Sequence, residues 1–284
     1  MKVLRERLEA WWLMSPALLL LAAVSALPMA YVLWLSLNHR TLFGAEAFAG
    51  LDHYVRLAGD GRFWNALGNT LYFAAVSVAL ELALGLAAAL LVIRAGRWRA
   101  LAYGAILVPW AVPTVVSARM WEWMYNPELG VLGFLAGAPV NWLGEPVLAM
   151  HAAIAMDVWK STPFVAILLL AGLQGMPRDL LHAAAVDGAG SWTIFRRITL
   201  PWLAPVILVA AVFRTIDALR VFDAIYVLTG GGPANATETL SIYAYRVLFQ
   251  MLDFGYGSAL AFTMLLISGA AAIAYARLLR GAMP

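Results

Sequence analysis

The stretch Ala79-Leu-Glu-Leu-Ala-Leu-Gly-Leu-Ala-Ala-Ala-Leu-Leu-Val-Ile93 decides the fold class. It is rich in Ala and Leu, the strongest helix formers, and carries one ionisable side chain, Glu81. A lipid-facing β-strand would show ~10-residue segments of alternating polarity, and this continuous run does not alternate. With the apolar residues from Ala66 onward it exceeds the ~20 helical residues that cross a ~30 Å hydrocarbon core.

Five more stretches read the same way. They cover about 13–37, 101–125, 147–173, 202–228 and 259–279, which with 66–93 makes six transmembrane helices. The expected fold is an all-α membrane protein with one transmembrane domain over 1–284. Composition agrees: of 284 residues, 63% are hydrophobic and only 12% charged, against roughly 25% charged in soluble domains. That excludes a soluble single-core enzyme and a disordered chain.

Lys and Arg collect on one side of this topology. With the N-terminus inside, the cytoplasmic segments hold 11 of the 19 basic residues, among them Lys2, Arg5, Arg7, Arg94, Arg97, Arg99, Arg196 and Arg197. Only Arg40, Arg56, Arg62 and Arg246 fall outside, so both termini are expected in the cytoplasm. The positive charge thus follows membrane topology and needs no nucleic acid. The first apolar run continues well past Val24-Ser25-Ala26, longer than a cleaved leader requires, and reads as a retained span anchored by Trp11, Trp12 and Trp34. Cysteine is absent, which excludes a disulfide framework, a thiolate metal site and a cysteine nucleophile. The four histidines, His39, His53, His151 and His182, are too far apart for any standard metal spacing.

Ionisable residues inside spans cost several kcal/mol unless paired or wetted, so they mark sites. The fourth span carries Asp157 and Lys160; the fifth carries Arg214, Asp217, Arg220 and Asp223 at intervals of three. These six charges define a polar face that lipid would reject, bordering a water-filled path or a ligand site. Three cations against three anions, beside Trp159, Phe164 and Phe222, suit a neutral polyhydroxylated solute better than an anion or a metal ion. Glu81, and the pair Arg119 and Glu122, are expected to fix packing instead. Prolines at 28, 109, 113, 163 and 205 are expected to kink their helices. No histidine stands on the charged face, which argues against a membrane-embedded acid–base enzyme.

The connection 174–201 reads as two short helices. Pro177, Arg178 and Asp179 open the first, Gly188 and Gly190 break it, Ser191 caps the second, and Pro201 begins the next span. The second helix sets Trp192, Phe195 and Ile198 on one face beside Arg196 and Arg197. Such an amphipathic helix either lies on lipid or docks into a partner's groove.

Ala183-Ala184-x-x-Asp187-Gly188-Ala189, with Phe195, Ile198, Leu200 and Pro201, resembles the EAA loop of membrane subunits in binding-protein-dependent ABC importers. Gly230-Gly-Gly-Pro233 with Thr237-Glu-Thr239 resembles a loop of the sugar-importer branch. Gly50-Leu-Asp-His-Tyr54, Phe63-Trp64 and Asn69-Thr70 resemble the entry to the second span in MalF-like subunits. The whole chain is therefore similar to the maltose-type permease superfamily, with His182 standing where the EAA loop normally has Glu.

The resemblance implies a type I importer permease in a bacterial inner membrane, carrying a di- or oligosaccharide of trehalose or maltose type. It implies a second six-helix permease, two ATP-binding cassette subunits and an extracytoplasmic solute-binding protein as partners. This chain would be non-catalytic and hold no cofactor, ATP and Mg residing on the ATPases; no Gly-x-x-x-x-Gly-Lys-Ser/Thr loop occurs in it. Coupling to the ATPase would fall on His182, Ala183, Asp187, Gly188, Ala189, Phe195 and Arg196. Matching outward from the loop, the solute contacts implied include Asp157, Lys160, Ser161, Phe164, Arg214 and Val221, to which the charged face adds Asp217 and Arg220. Glycerol 3-phosphate is the alternative solute, given three cations on that face. An ATP-independent channel or secondary transporter is the remaining alternative, and it leaves the EAA-like loop unexplained.

Overall fold

A computed structural model of the chain describes residues 2–42, 44 and 46–282, with side chains for 11–42, 44, 46–177 and 179–278. The terminal charges Lys2, Arg5, Arg7 and Arg280, and Arg178 at its helix start, lie outside the described side chains.

The chain runs α1 (Lys2–Leu21), α2 (Leu27–Ser36), β1 (Asn38–His39), β2 (Ala47–Phe48), α3 (Asp52–Gly59), α4 (Gly61–Arg94), α5 (Arg99–Ala111) and α6 (Thr114–Met124). It continues with α7 (Val131–Ala136), α8 (Pro146–Gln174), α9 (Arg178–Val186), α10 (Ser191–Ile194), α11 (Leu200–Ala218), α12 (Asp223–Leu228), α13 (Leu240–Tyr245) and α14 (Phe254–Ala282). Among the described residues, five helical stretches are long and apolar enough to cross a membrane: Trp11–Ser36, Gly61–Arg94, Pro146–Gln174, Ser191–Leu219 and Phe254–Leu278. The pair Gly96–Ala111 and Thr114–Met124 makes a sixth, bent by 93°.

Proline explains where the observed helices depart from the expected ones. The third span is not a single helix over 101–125: it breaks at Val112 and Pro113, which are extended with ψ of 131° and 142°. A residue before proline is driven out of the α region, and proline supplies no N–H to continue the ladder. Elsewhere the chain absorbs proline by widening a turn. Leu27 N–H bonds Ala22 O, and Leu200 N–H bonds Phe195 O, each five residues back and each directly before a proline, Pro28 or Pro201. These π-turns take up the register that the proline ring would disrupt. Consequently Pro201 does not begin a new element, and the helix is continuous from Ser191 to Leu219.

The fifth span also differs from 202–228. Its helix stops after Ala218, and α12 restarts at Asp223 after the non-helical Phe222 (φ −133°, ψ −65°). The second and last spans are longer than expected, starting at Gly61 and Phe254 instead of 66 and 259.

The residues form two compact units. One comprises the chain up to Gly61 with Tyr243–Leu266. Inside it Asp60 accepts hydrogen bonds from both Tyr243 and Tyr256, Arg56 pairs with Asp253 at 3.0 Å, and Ser36 bonds the Tyr54 hydroxyl at 2.7 Å. The other comprises Arg62–Ile242 with the chain from Ile267. There α5, α6, α11 and α12 all pack on α8, and α6 packs on α12.

This second unit has two large apolar clusters and a small one of Ala118, Met156 and Ala224. One large cluster gathers Phe73, Val78, Ile154, Val158, Ala218 and Ile225; the other gathers Ala89, Val92, Val165, Leu169, Leu203 and Ala210. Between the two large clusters fall Glu81 on α4, Lys160 on α8, and Arg214 and Asp217 on α11, with Asp157 at the edge of the first cluster.

Candidate functional site

Glu81 on α4, Asp157 on α8 and Arg214 on α11 meet in that intervening layer. The Arg214 guanidinium donates from Nε and Nη2 to the two oxygens of Glu81, at 2.5 and 2.9 Å. Nη2 also reaches Asp157 at 3.1 Å, and Nη1 reaches Asp217, one turn along the same helix, at 2.5 Å. Four of its five N–H groups are thereby engaged. Fractional side-chain exposure separates the carboxylates: 0% for Glu81, 12% for Asp157 and 66% for Asp217. Close helix packing makes the cluster reachable. One turn after Glu81 stands Gly85, where a Cβ would lie 2.6 Å from Val165 Cγ1, so α4 sits hard against α8.

Lys160, on the same face of α8 as Asp157, donates to the Val112 carbonyl at 2.7 Å. That carbonyl belongs to the break in the third span, where Pro113 leaves the ladder open. The second break is satisfied in the same way: Thr239 Oγ1 donates to Val221 O at 3.2 Å.

Two cavities lie against this layer. The smaller, about 190 Å³, is bordered by Asp157, Lys160, Ser161, Arg214, Asp217, Arg220 and Val221, with Thr114 at the start of α6 and Asp223 at the start of α12. The larger, about 440 Å³, shares Ser161, Arg214, Asp217 and Arg220 and adds Trp110, Phe164 and Phe213. Phe164 contacts Trp110 and Phe213 with ring centres 6.4 and 6.3 Å away, forming an aromatic wall of the larger cavity.

All eight residues expected to contact a solute therefore border one or both cavities. Glu81 pairs between helices as expected, and its partner is the central arginine, so the layer holds four carboxyl groups against three cations. Two expectations change. Asp223 does not continue the face of α11, because the helix breaks before it, though it still borders the smaller cavity. Trp159 packs on Trp121 and borders neither cavity, whereas Phe222 borders the smaller one and stacks on Tyr226. Trp110, Phe213 and Thr114 were missed. The signal for Trp110 and Thr114 was Pro113, since a break in a span exposes the residues around it. Arg119 and Glu122 pair locally at 2.6 Å, as expected.

The segment 178–199 presents a different surface. Helix α9 ends in a Schellman motif, with Ala189 N–H on Ala184 O, Gly188 N–H on Ala185 O and Gly188 at φ +76°. Ser191 does not cap the following helix; Gly190 holds the cap position, and no side-chain cap bond forms. His182, Ala183, Asp187, Gly188 and Arg196 are exposed, and Ala189 and Phe195 are half-buried. Trp192, 70% exposed, stacks on Phe195 at 5.5 Å.

Comparison with known proteins gives concordant matches. Residues 81–282 match the family described as "Binding-protein-dependent transport system inner membrane component". The chain is 45% identical over 262 residues to the trehalose/maltose transport system permease protein MalF of Thermococcus litoralis, covering 90% of this chain and 88% of that protein. It is 42% identical over 270 residues to the trehalose transport system permease protein SugA of Mycobacterium tuberculosis, covering 94% and 86%. Its fold matches a chain of a bacterial ABC transporter that imports the acidic polysaccharide alginate, with a TM-score of 0.83 over 98% of both chains at 23% identity.

Proposed function

The chain belongs to the family of inner-membrane components of binding-protein-dependent transport systems, and on that premise we propose that it imports a neutral sugar of trehalose or maltose type. The observation that carries this reading is the cavity pair on α8 and α11. An exposed carboxylate, Asp217, and the Ser161 hydroxyl line the larger cavity together with Trp110, Phe164 and Phe213. A sugar ring offers hydroxyl donors at its rim and apolar C–H groups on its faces, so it uses both kinds of lining. The names of the relatives support the same solute class.

A phosphorylated solute is served less well. Two of the three cations are occupied, Arg214 by three carboxylates and Lys160 by a backbone carbonyl, so glycerol 3-phosphate would meet mainly Arg220 and Asp217. An ATP-independent channel gives no role to the exposed segment 178–199.

In this reading the chain is a non-catalytic permease domain over its full length with both termini in the cytoplasm, and it holds no cofactor. The exposed surface around His182, Asp187, Gly188 and Arg196 docks one of two ATPase subunits, which carry ATP and Mg. A second permease completes the path, and an extracytoplasmic binding protein delivers the sugar. His182 offers the ATPase a hydrogen-bonding imidazole ring in place of a carboxylate.

The test is ATP-driven uptake of labelled trehalose and maltose by the co-purified assembly in proteoliposomes. Wild-type assembly should transport at least one of them. Asp217→Asn should raise KM about tenfold or more, as expected for losing a hydrogen bond to a charged acceptor, and Phe164→Ala should do likewise. Absence of a second permease and an ATPase from the purified assembly, or unchanged KM in both variants, would overturn the reading.

A further inference from the structure

Glu81 borders neither cavity, yet it makes the only two-point grip on the residue at their shared edge among the described residues. We propose that Glu81 is a specificity-determining positioning residue, which forks the Arg214 guanidinium so that it gives a single bond to Asp217 and leaves the rest of that carboxylate to the cavities. The proposal rests on the reading that these cavities lie on the translocation path.

The geometry supports it in three steps. A guanidinium is always charged, and a fork of two parallel N–H bonds to one carboxylate fixes its plane as a single bond does not. Glu81 alone supplies the fork; Asp157 and Asp217 each take one bond. Glu81 is also fully buried while Asp217 is two-thirds exposed, so the fork anchors the arginine on its buried side and leaves it one bond, from Nη1, to an Asp217 that borders both cavities. Without Glu81, Nε loses its acceptor and Nη2 keeps only Asp157. The guanidinium would then turn a fork onto both oxygens of Asp217, and with one negative charge gone from the layer the cavities would shift their preference toward anions. Removing one carboxylate 133 positions away in sequence would thus change which solute charge the site accepts.

The absence of cysteine supplies a clean probe. Phe213→Cys, on the wall of the larger cavity, is placed in the assembled transporter. Its modification by cationic and by anionic methanethiosulfonates of similar size is followed by mass shift of this chain. With Glu81 intact the cationic reagent should react faster. Glu81→Gln should lower the cation-to-anion rate ratio by about tenfold or more, because a unit charge at roughly 10 Å acts on the two reagents in opposite directions. Glu81→Asp, which keeps the charge but shortens the reach, should fall between them. Glu81→Gln with Arg214→Gln should recover most of the ratio, because the released guanidinium is gone.

A ratio within twofold of wild type in Glu81→Gln, or no recovery in the double variant, overturns the proposal. Should Glu81→Gln fail to assemble, an unchanged ratio in Glu81→Asp overturns it equally. The sugar reading is tested separately: a shifting ratio in a transporter that carries neither trehalose nor maltose sinks that reading and supports this one. Sugar uptake with an unmoved ratio does the reverse.

Discussion

Arg62 and Glu238 form a two-point ion pair, Nε to Oε2 at 2.7 Å and Nη2 to Oε1 at 2.8 Å, with the Glu238 side chain wholly buried. The pair fixes the glycine-rich segment 229–239 to the first turns of α4. Around it Asn65 and Asn69 donate to the Asn235 carbonyl, Asn69 also donates to Glu238 O, and Thr237 donates to Gly232 O. A stretch that reads as a loop is therefore a built part of the molecule. Through Thr239 it also holds the carbonyl of Val221 beside the smaller cavity.

Breaking this pair from the arginine side leaves a buried carboxylate with its main counter-charge removed. Arg62→Ala should destabilise the protein by about 3–5 kcal/mol, read as a fall in thermal midpoint in detergent. Arg62→Lys should recover only part, since an ammonium cannot fork onto both oxygens. Arg119→Ala, which removes an exposed i,i+3 pair, should cost under about 1 kcal/mol. Equal effects at Arg62 and Arg119 would refute the assignment.

Gly85 is required by contact. Its missing Cβ would press on Val165 and stand 3.2 Å from the Ala166 backbone nitrogen. Gly85→Ala should destabilise by about 1–3 kcal/mol through overpacking, and Val165→Ala in the same chain should restore part of the loss. Additive destabilisation in the double variant, measured by thermal unfolding, would show that the contact is not limiting.

Lys160 stabilises the broken third span by meeting the carbonyl at Val112. Lys160→Met keeps most of the stem and removes the donor, leaving that carbonyl unpaired at a cost of about 1–3 kcal/mol. Lys160→Arg retains a donor and should stay near wild type. Sugar uptake should fall in the methionine variant with assembly intact, as the residues flanking the α5–α6 break border the cavities, Trp110 the larger and Thr114 the smaller. Wild-type uptake with wild-type stability would remove the lysine from this role.

Gly188 is required by backbone conformation and not by space, since an added Cβ meets nothing within 4 Å at φ +76°. Gly188→Val should strain the Schellman turn by about 1–2 kcal/mol, a local cost that leaves the spans folded. The expected outcome is uncoupling, with ATP hydrolysis persisting while sugar uptake falls severalfold. Uptake that keeps pace with hydrolysis would show that this turn does not transmit the ATPase stroke.

Much of the architecture was legible along the chain. Hydrophobic runs located the fourth span to within a residue at each end, 147–173 against Pro146–Gln174, because a membrane span is a local property of consecutive side chains. The Asp187-Gly188 turn was legible because a left-handed residue after a helix has a composition signal. The eight cavity residues came partly from charge inside apolar runs and partly from family resemblance, neither of which required a contact map.

What the linear reading could not supply was the partner of each charge. Glu81 read as a packing pair without a named partner because hydropathy cannot say that α4, α8 and α11 converge at one level. The fifth span read as continuous because Leu219, Val221 and Phe222 are apolar enough for a helix, while their neighbours draw them out of one. Thus the sequence by itself determined how many helices cross the membrane, where charge enters them and which turn needs glycine. The tertiary structure alone decided that Arg214 faces three carboxylates, that Lys160 serves a carbonyl 48 positions away, and that Asp217 stays two-thirds exposed at the border of both cavities. Insertion into lipid is set by the apolarity of successive residues, whereas an ion pair between helices depends on distances of a few ångströms that close packing creates only once the helices have met.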